Sequence, residues 1–119
     1  MLKFWFITLM ICSACVACNN TPKDKALDIS VEEAKELVKQ GYVFIDLRTP
    51  EEIKGGKIDG ALEIDFKASD FDTKVEKLSK ASKYIAYCRS GGRSARSMST
   101  FKQHGIEAYN MLGGYTAWK

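Results

Sequence analysis

An alternation constrains the fold of this chain more than any other feature. From residue 26 onward, short runs of β-forming apolar residues take turns with amphipathic runs of helical period. "YVFIDLR" (42–48), "ALEIDF" (61–66), "KYIAYC" (83–88) and "EAYNML" (107–112) read as strands. "SVEEAKELVKQG" (30–41) opens with Ser30 and Glu33 at capping-box spacing, carries Val31, Ala34, Leu37 and Val38 on one face, and stops at Gly41. In "TPEEIKGG", Pro50 starts a helical turn and Gly55–Gly56 ends it. Residues 70–80 turn Phe71, Val75 and Leu78 inward. Residues 93–105 do the same with Met98 and Phe101 before Gly105, and "GGYTAW" gives a turn and a last short helix. This order predicts an α/β fold, a mostly parallel sheet with helices on both faces. Ligands of such open sheets bind outside the carboxyl ends of the strands. Cys88 ends one strand, and Asp46 and Arg48 end another, so parallel strands bring all three to one rim.

The alternation is absent from the first residues. "MLKFWFITLMICSACVACNN" places Lys3 before an apolar run and then small residues leading to cysteine, the layout of a secretory signal. The run is shorter than the ~20 residues a membrane-spanning helix needs. The cleavage region resembles a bacterial lipoprotein signal. That resemblance implies lipidation at Cys18 after Val16–Ala17, with Cys15 or plain secretion as alternatives. The expected organisation is a signal peptide over 1–17, a lipidated cysteine and polar tether over 18–25, and one domain over 26–119. The expected place is a bacterial membrane, facing the periplasm. Of four cysteines, at 12, 15, 18 and 88, only Cys88 then remains a free thiol in the domain. A lone thiol in an oxidising compartment suggests a reactive group.

The stretch around it, "YCRSGGRSARS", has the composition of an anion cradle. The thiolate is the reactive form of cysteine, and a helix N-terminus behind it supplies free backbone N–H groups and the positive end of the helix dipole. Gly91 and Gly92 allow the positive φ angles that turn successive amides inward. Arg89 and Arg93 add positive charge. The loop therefore suits a nucleophilic cysteine that handles an anionic group. Arg96 reads as part of a solvated helix face, and His104, at a helix end, as no general base.

"CRSGGRS" resembles the active-site loop of the single-domain rhodaneses, a sulfurtransferase family. "DLRTPEEIKGGKIDGA" resembles the family's D-x-R-x-x-x-E-[FY]-x-x-G-H-I-x-G-A segment, and "LGGYTAW" its L-x-G-G-x-x-x-W ending. The three motifs occur in the family's order and span about residues 26–119. The resemblance implies the rhodanese-like three-layer fold, with a five-stranded, mostly parallel sheet. It implies sulfane-sulfur transfer through a Cys88 persulfide. The cradle would be Arg89, Ser90, Gly91, Gly92, Arg93 and Ser94, with the two arginines orienting an anionic donor and Ser94 capping the helix and touching the sulfur. Asp46, Arg48 and Glu52 would shape the pocket, Arg48 and Glu52 as an internal ion pair. Tyr115 and Trp118 read as packing. Lys57 and Ile53 depart from the family's histidine and aromatic, both outside the loop, and read as structural changes.

The expected partners are a small anionic sulfur donor such as thiosulfate, a thiol or protein acceptor, and a membrane through the anchor. No cofactor or metal is called for, since the C-x-x-C spacings of Cys12, Cys15 and Cys18 fall in the apolar leader. A net charge of +3, without a basic stripe, argues against a nucleic-acid binder. Phosphatases and arsenate reductases of related fold carry C-x5-R, whereas Cys88 and Arg93 form the shorter C-x4-R, which suits one sulfur atom. A persulfide carrier or partner-binding module with little small-molecule turnover is the remaining alternative.

Overall fold

Five strands and five helices alternate through residues 27–119, the part of the chain that the computed structural model describes. The signal peptide, the lipidated Cys18 and the tether expected over residues 1–25 lie outside the described residues. The elements are β1 (Asp28–Ile29), α1 (Val31–Lys39), β2 (Val43–Asp46), α2 (Pro50–Ile53), β3 (Leu62–Glu63), α3 (Phe71–Glu76), β4 (Lys83–Tyr87), α4 (Gly92–Gln103), β5 (Glu107–Met111) and α5 (Gly114–Trp118). The strands form one sheet in the order β1-β5-β4-β2-β3, and every pairing is parallel. This is the α/β architecture expected from the alternation.

Successive strand residues point to opposite faces, and the core divides accordingly. Ile45, Leu47, Tyr84, Ala86 and Cys88 face α3 and α4, where they meet Phe71, Val75, Met98 and Phe101. Phe44, Ile85, Tyr87 and Met111 face α1 and α5, and pack with Val31, Ala34, Tyr115 and Trp118. α4 buries Ser94 and Ser97 as well as Met98 and Phe101, one face at helical period. The Ser30 hydroxyl accepts the Glu33 amide at 3.1 Å and caps α1.

Two local expectations need correction. The helix over 30–41 was expected to bury Val38, but that residue is 37% exposed while Val31 and Ala34 are buried. The strand expected over 61–66 shortens to the two residues of β3, both exposed, because it pairs with β2 alone at the sheet edge.

Beneath the rim lies a buried ionic network. Asp46 and Tyr87 are register partners across β2 and β4. Asp46 is 0% exposed and Arg48 is 4% exposed. Arg48 Nη2 donates to Asp46 Oδ2 at 2.7 Å, its Nε donates to Oδ1 at 3.0 Å, and Tyr87 Oη donates to Oδ2 at 2.7 Å. Arg48 Nη2 also donates to the Gly56 carbonyl at 2.7 Å, and the Ile58 amide donates to Tyr87 Oη at 3.1 Å. The network thus ties the segment after α2 to the ends of two central strands. Burial and the bond to Asp46 push the Tyr87 hydroxyl above its ordinary pKa, so it stays a donor. Removing one member of a buried pair strands the other charge. Asp46→Ala is expected to cost about 3–5 kcal/mol in urea unfolding, and Tyr87→Phe about 1–3 kcal/mol.

Candidate active site

β4 ends at Tyr87, and the next residue, Cys88, is 1% exposed at the carboxyl edge of the sheet. The chain then turns through Arg89 and Ser90, both exposed, into Gly91. Gly91 caps α4 at φ 109°, in the left-handed region, and a Cβ there would lie 3.4 Å from the Gly113 amide nitrogen. The sequence suggested a positive φ at Gly92 as well, but Gly92 does not share this conformation. It opens α4 without a positive φ.

The turn aims donors at the sulfur. The Gly91 amide donates to Cys88 Sγ at 3.1 Å. The Ser94 hydroxyl lies 3.6 Å from Sγ and 3.2 Å from the Gly91 carbonyl oxygen, so its single proton serves one acceptor at a time. Burial pushes the thiol pKa up, but the Ser94 amide and hydroxyl and the amides of Gly91 and Ser90 outweigh it, and the net direction is down. Ser94 was expected to cap α4. The cap is Gly91, and Ser94 lies fully buried one turn in, against the sulfur.

α5 fixes this loop from outside. The Tyr115 amide donates to the Cys88 carbonyl at 2.8 Å, and the amide and hydroxyl of Thr116 donate to the Arg89 carbonyl at 3.0 and 2.9 Å. Gly114 permits the approach. A Cβ there would fall on the Cys88 carbonyl oxygen and within 2.7 Å of Arg89, at a φ of +57°. Tyr115 and Trp118 are packing residues as expected. The Tyr115 ring covers the Arg48 guanidinium at 4.2 Å, and Trp118 packs edge-on against Phe44.

The pocket-shaping residues pair differently from expectation. Arg48 does not form its ion pair with Glu52. Its carboxylate partner is Asp46, two residues back on the same strand face, and it meets only the Glu52 backbone carbonyl, at 3.5 Å. The Glu52 carboxylate instead accepts from Arg93 Nη2 at 2.9 Å. That bond holds the Glu52 carboxyl below the usual carboxylate range and raises the Arg93 pKa. Arg93, expected as a free anion-orienting charge, is therefore compensated. Arg89 is exposed and makes no ion pair among the described residues. With Arg48, Glu52, Gly55, Tyr115, Thr116 and Lys119 it lines a cavity of about 280 Å³ beside the loop. A roomier cleft of about 690 Å³ lies between α4 and the β1 segment at Leu27 and Asp28, and its lining includes neither Cys88 nor residues 89–94.

The remaining candidates lie away from the sulfur. Lys57 donates to the Ala61 carbonyl at 2.9 Å and to Glu63 at 3.2 Å, a structural use. Arg96 is exposed on α4, over the Phe66 ring. His104, at the C-terminal end of α4, lies 3.0 Å from Asp72. Tyr87 was not singled out from the sequence. The signal that could have found it is its position next to Cys88 on a strand parallel to that of Asp46.

A buried thiol facing backbone amides at a strand end, in a parallel sheet with helices on both faces, defines an α/β protein with a cysteine loop at the carboxyl edge of its sheet. The chain belongs to the rhodanese family: residues 30–119 match its rhodanese-like domain. It is 31% identical over 101 residues to thiosulfate sulfurtransferase 16, chloroplastic, of Arabidopsis thaliana, covering 76% of this chain and 84% of that protein. A sulfurtransferase of Allochromatium vinosum is 32% identical over 80 residues, covering 66% of this chain and 73% of its own length. The crystal structure of a rhodanese-like domain protein from Staphylococcus aureus superposes with a TM-score of 0.69 at 29% identity, covering 77% of this chain and 90% of that one.

The cradle makes a measurable demand. The pH profile of Cys88 alkylation is expected to have its midpoint below the ~8.5 of a free thiol. Ser94→Ala removes one donor and should raise that midpoint by up to about one pH unit. Gly114→Ala should move it the same way by displacing the loop. A wild-type midpoint at the free-thiol value would contradict the cradle.

Proposed function

We propose that this rhodanese-family protein transfers sulfane sulfur from an anionic donor such as thiosulfate to a thiophilic acceptor through a Cys88 persulfide. The observation that carries the reading is the buried Cys88 sulfur, held by the amides of the loop and the start of α4. The thiolate attacks the outer sulfur of thiosulfate, an S–S bond forms, and sulfite leaves with the bonding pair. The same amides then face the terminal sulfur of the persulfide. A thiol, a protein acceptor or cyanide removes that sulfur and restores the thiolate, a two-step covalent route. The chemistry needs no general base once the thiolate has formed, and the loop's donors lower the Cys88 pKa in that direction.

One observation favours a second reading. The Glu52 carboxylate compensates Arg93, which weakens the pull on small dianions. A persulfide carrier fed by and discharging to partner proteins fits that weaker pull. Export and lipid anchoring at Cys18, on the periplasmic side of a bacterial membrane, complete the proposal, and loss of lipid labelling in Cys18→Ala would test them.

Initial rates of thiocyanate formation from thiosulfate and cyanide test the enzyme reading. Double-reciprocal lines at several cyanide concentrations should be parallel, and Cys88→Ala should lower the rate by at least about 10³-fold. Turnover of an aryl phosphate with thiosulfate inert would replace this reading with a phosphatase.

A further inference from the structure

The Arg93–Glu52 contact joins α4 to α2 and alters what the loop presents to an anion. Arg93 Nη2 donates to Glu52 Oε2 at 2.9 Å, and the two side chains are 12% and 29% exposed. The other terminal nitrogen of the guanidinium, Nη1, is buried and has no hydrogen-bond partner among the described residues. Four more charged groups face the pair. Arg48, at the end of β2, and Lys67, after β3, lie close enough to favour the Glu52 carboxylate. Asp65 and the Cys88 thiolate lie close enough to favour the Arg93 cation. Arg93 is therefore compensated in charge but unsatisfied in hydrogen bonding. A buried N–H without a partner is costly, and a sulfonyl oxygen of a bound donor would satisfy it.

We propose that Glu52 is a positioning residue that tunes the charge class of the sulfur donor: by cancelling the net charge of Arg93, and leaving Nη1 unpaired and Arg89 as the loop's uncompensated cation among the described residues, it shifts the site away from dianionic thiosulfate toward a monoanionic thiosulfonate. The proposal rests on the sulfurtransferase reading above. Coulomb attraction to a cation is about twice as strong for a dianion as for a monoanion at the same place, so cancelling the cation takes more from the dianion. The hydrogen bond from Nη1 to a sulfonyl oxygen is open to both donors. With R–SO2–S⁻, the Cys88 thiolate attacks the terminal sulfur and a new S–S bond forms. The bond from that sulfur to the sulfonyl sulfur breaks, and the bonding pair leaves with the sulfinate R–SO2⁻. No proton moves and no outside oxidant or reductant is used.

The test compares the full chain with Glu52→Gln, Glu52→Asp and the double variant Glu52→Gln/Arg93→Gln. Rates would be measured with methanethiosulfonate anion and with thiosulfate, cyanide being the acceptor. The Cys88 alkylation midpoint would be read in parallel. Glu52→Gln keeps an oxygen for Nη2 and removes the charge. It should lower KM for thiosulfate more than it changes kcat, and lower the thiosulfonate-to-thiosulfate ratio of kcat/KM by about five- to tenfold. It should also lower the alkylation midpoint, because the uncompensated Arg93 favours the thiolate. Glu52→Asp keeps the charge and should hold the ratio within about twofold of wild type. The double variant should return it close to wild type. A folded Glu52→Gln protein that shifts both donors equally, or leaves the midpoint in place, overturns the role of Glu52 alone. A wild-type protein that takes sulfur from neither donor overturns the sulfurtransferase reading and the donor-class proposal with it.

Discussion

Burial works against a sulfur anion, and only donors fixed around it can offset the loss of water. Here the fixing is done through peptide planarity. Each peptide unit is rigid, so a held carbonyl also aims the amide of the next residue. The Cys88 carbonyl is held by Tyr115, and the Arg89 carbonyl by the amide and hydroxyl of Thr116. These bonds settle the planes that carry the Arg89 and Ser90 amides. The left-handed turn at Gly91 then brings the Gly91 amide within 3.1 Å of the sulfur. The short C-terminal helix is thus part of the cradle without touching the thiol, and Gly114 is the residue that lets it approach.

A second chain of support runs from the sheet to the other side of the pocket. The register that sets Asp46 opposite Tyr87 builds a buried carboxylate, and Arg48 neutralises it. The remaining hydrogen bonds of Arg48 and Tyr87 reach Gly56 and Ile58 and hold the segment that follows α2. α2 is only four residues long and buries none of them, so its position depends on these bonds and on the Thr49 cap. Glu52, carried on that helix, can then meet Arg93 across the pocket. The charge around the thiol depends in this way on a network one layer below it.

The parallel sheet and the cysteine loop were legible in the sequence because both are written locally. The strands alternate faces, α4 buries positions 94, 97, 98 and 101, and Cys88, Gly91 and Ser94 lie within seven residues of chain. The edge strands were less legible, because two-residue pairings such as β1 and β3 are decided by the neighbouring strand rather than by their own residues. The ion pairs divide along the same line. Asp46 and Arg48 stand two apart at the end of a strand, where side chains share a face, a local signal for their pairing, but the spacing 48 to 52 suggested Glu52 instead and that pairing was wrong. Glu52 and Arg93 are 41 residues apart, and nothing local in either segment announces their contact. Val38 was misplaced because α1 packs on a stripe of Val31, Ala34 and Leu37, and Val38 falls just beside it.

Intact-mass measurement of the reduced, folded protein after exposure to thiosulfate tests the central claim most directly. A Cys88 thiolate held in an amide cradle should take up one sulfur atom, a gain of about 32 Da that is absent in Cys88→Ala and reversed by cyanide. An unchanged mass with thiosulfate and with thiosulfonate, or an equal gain in Cys88→Ala, would contradict it.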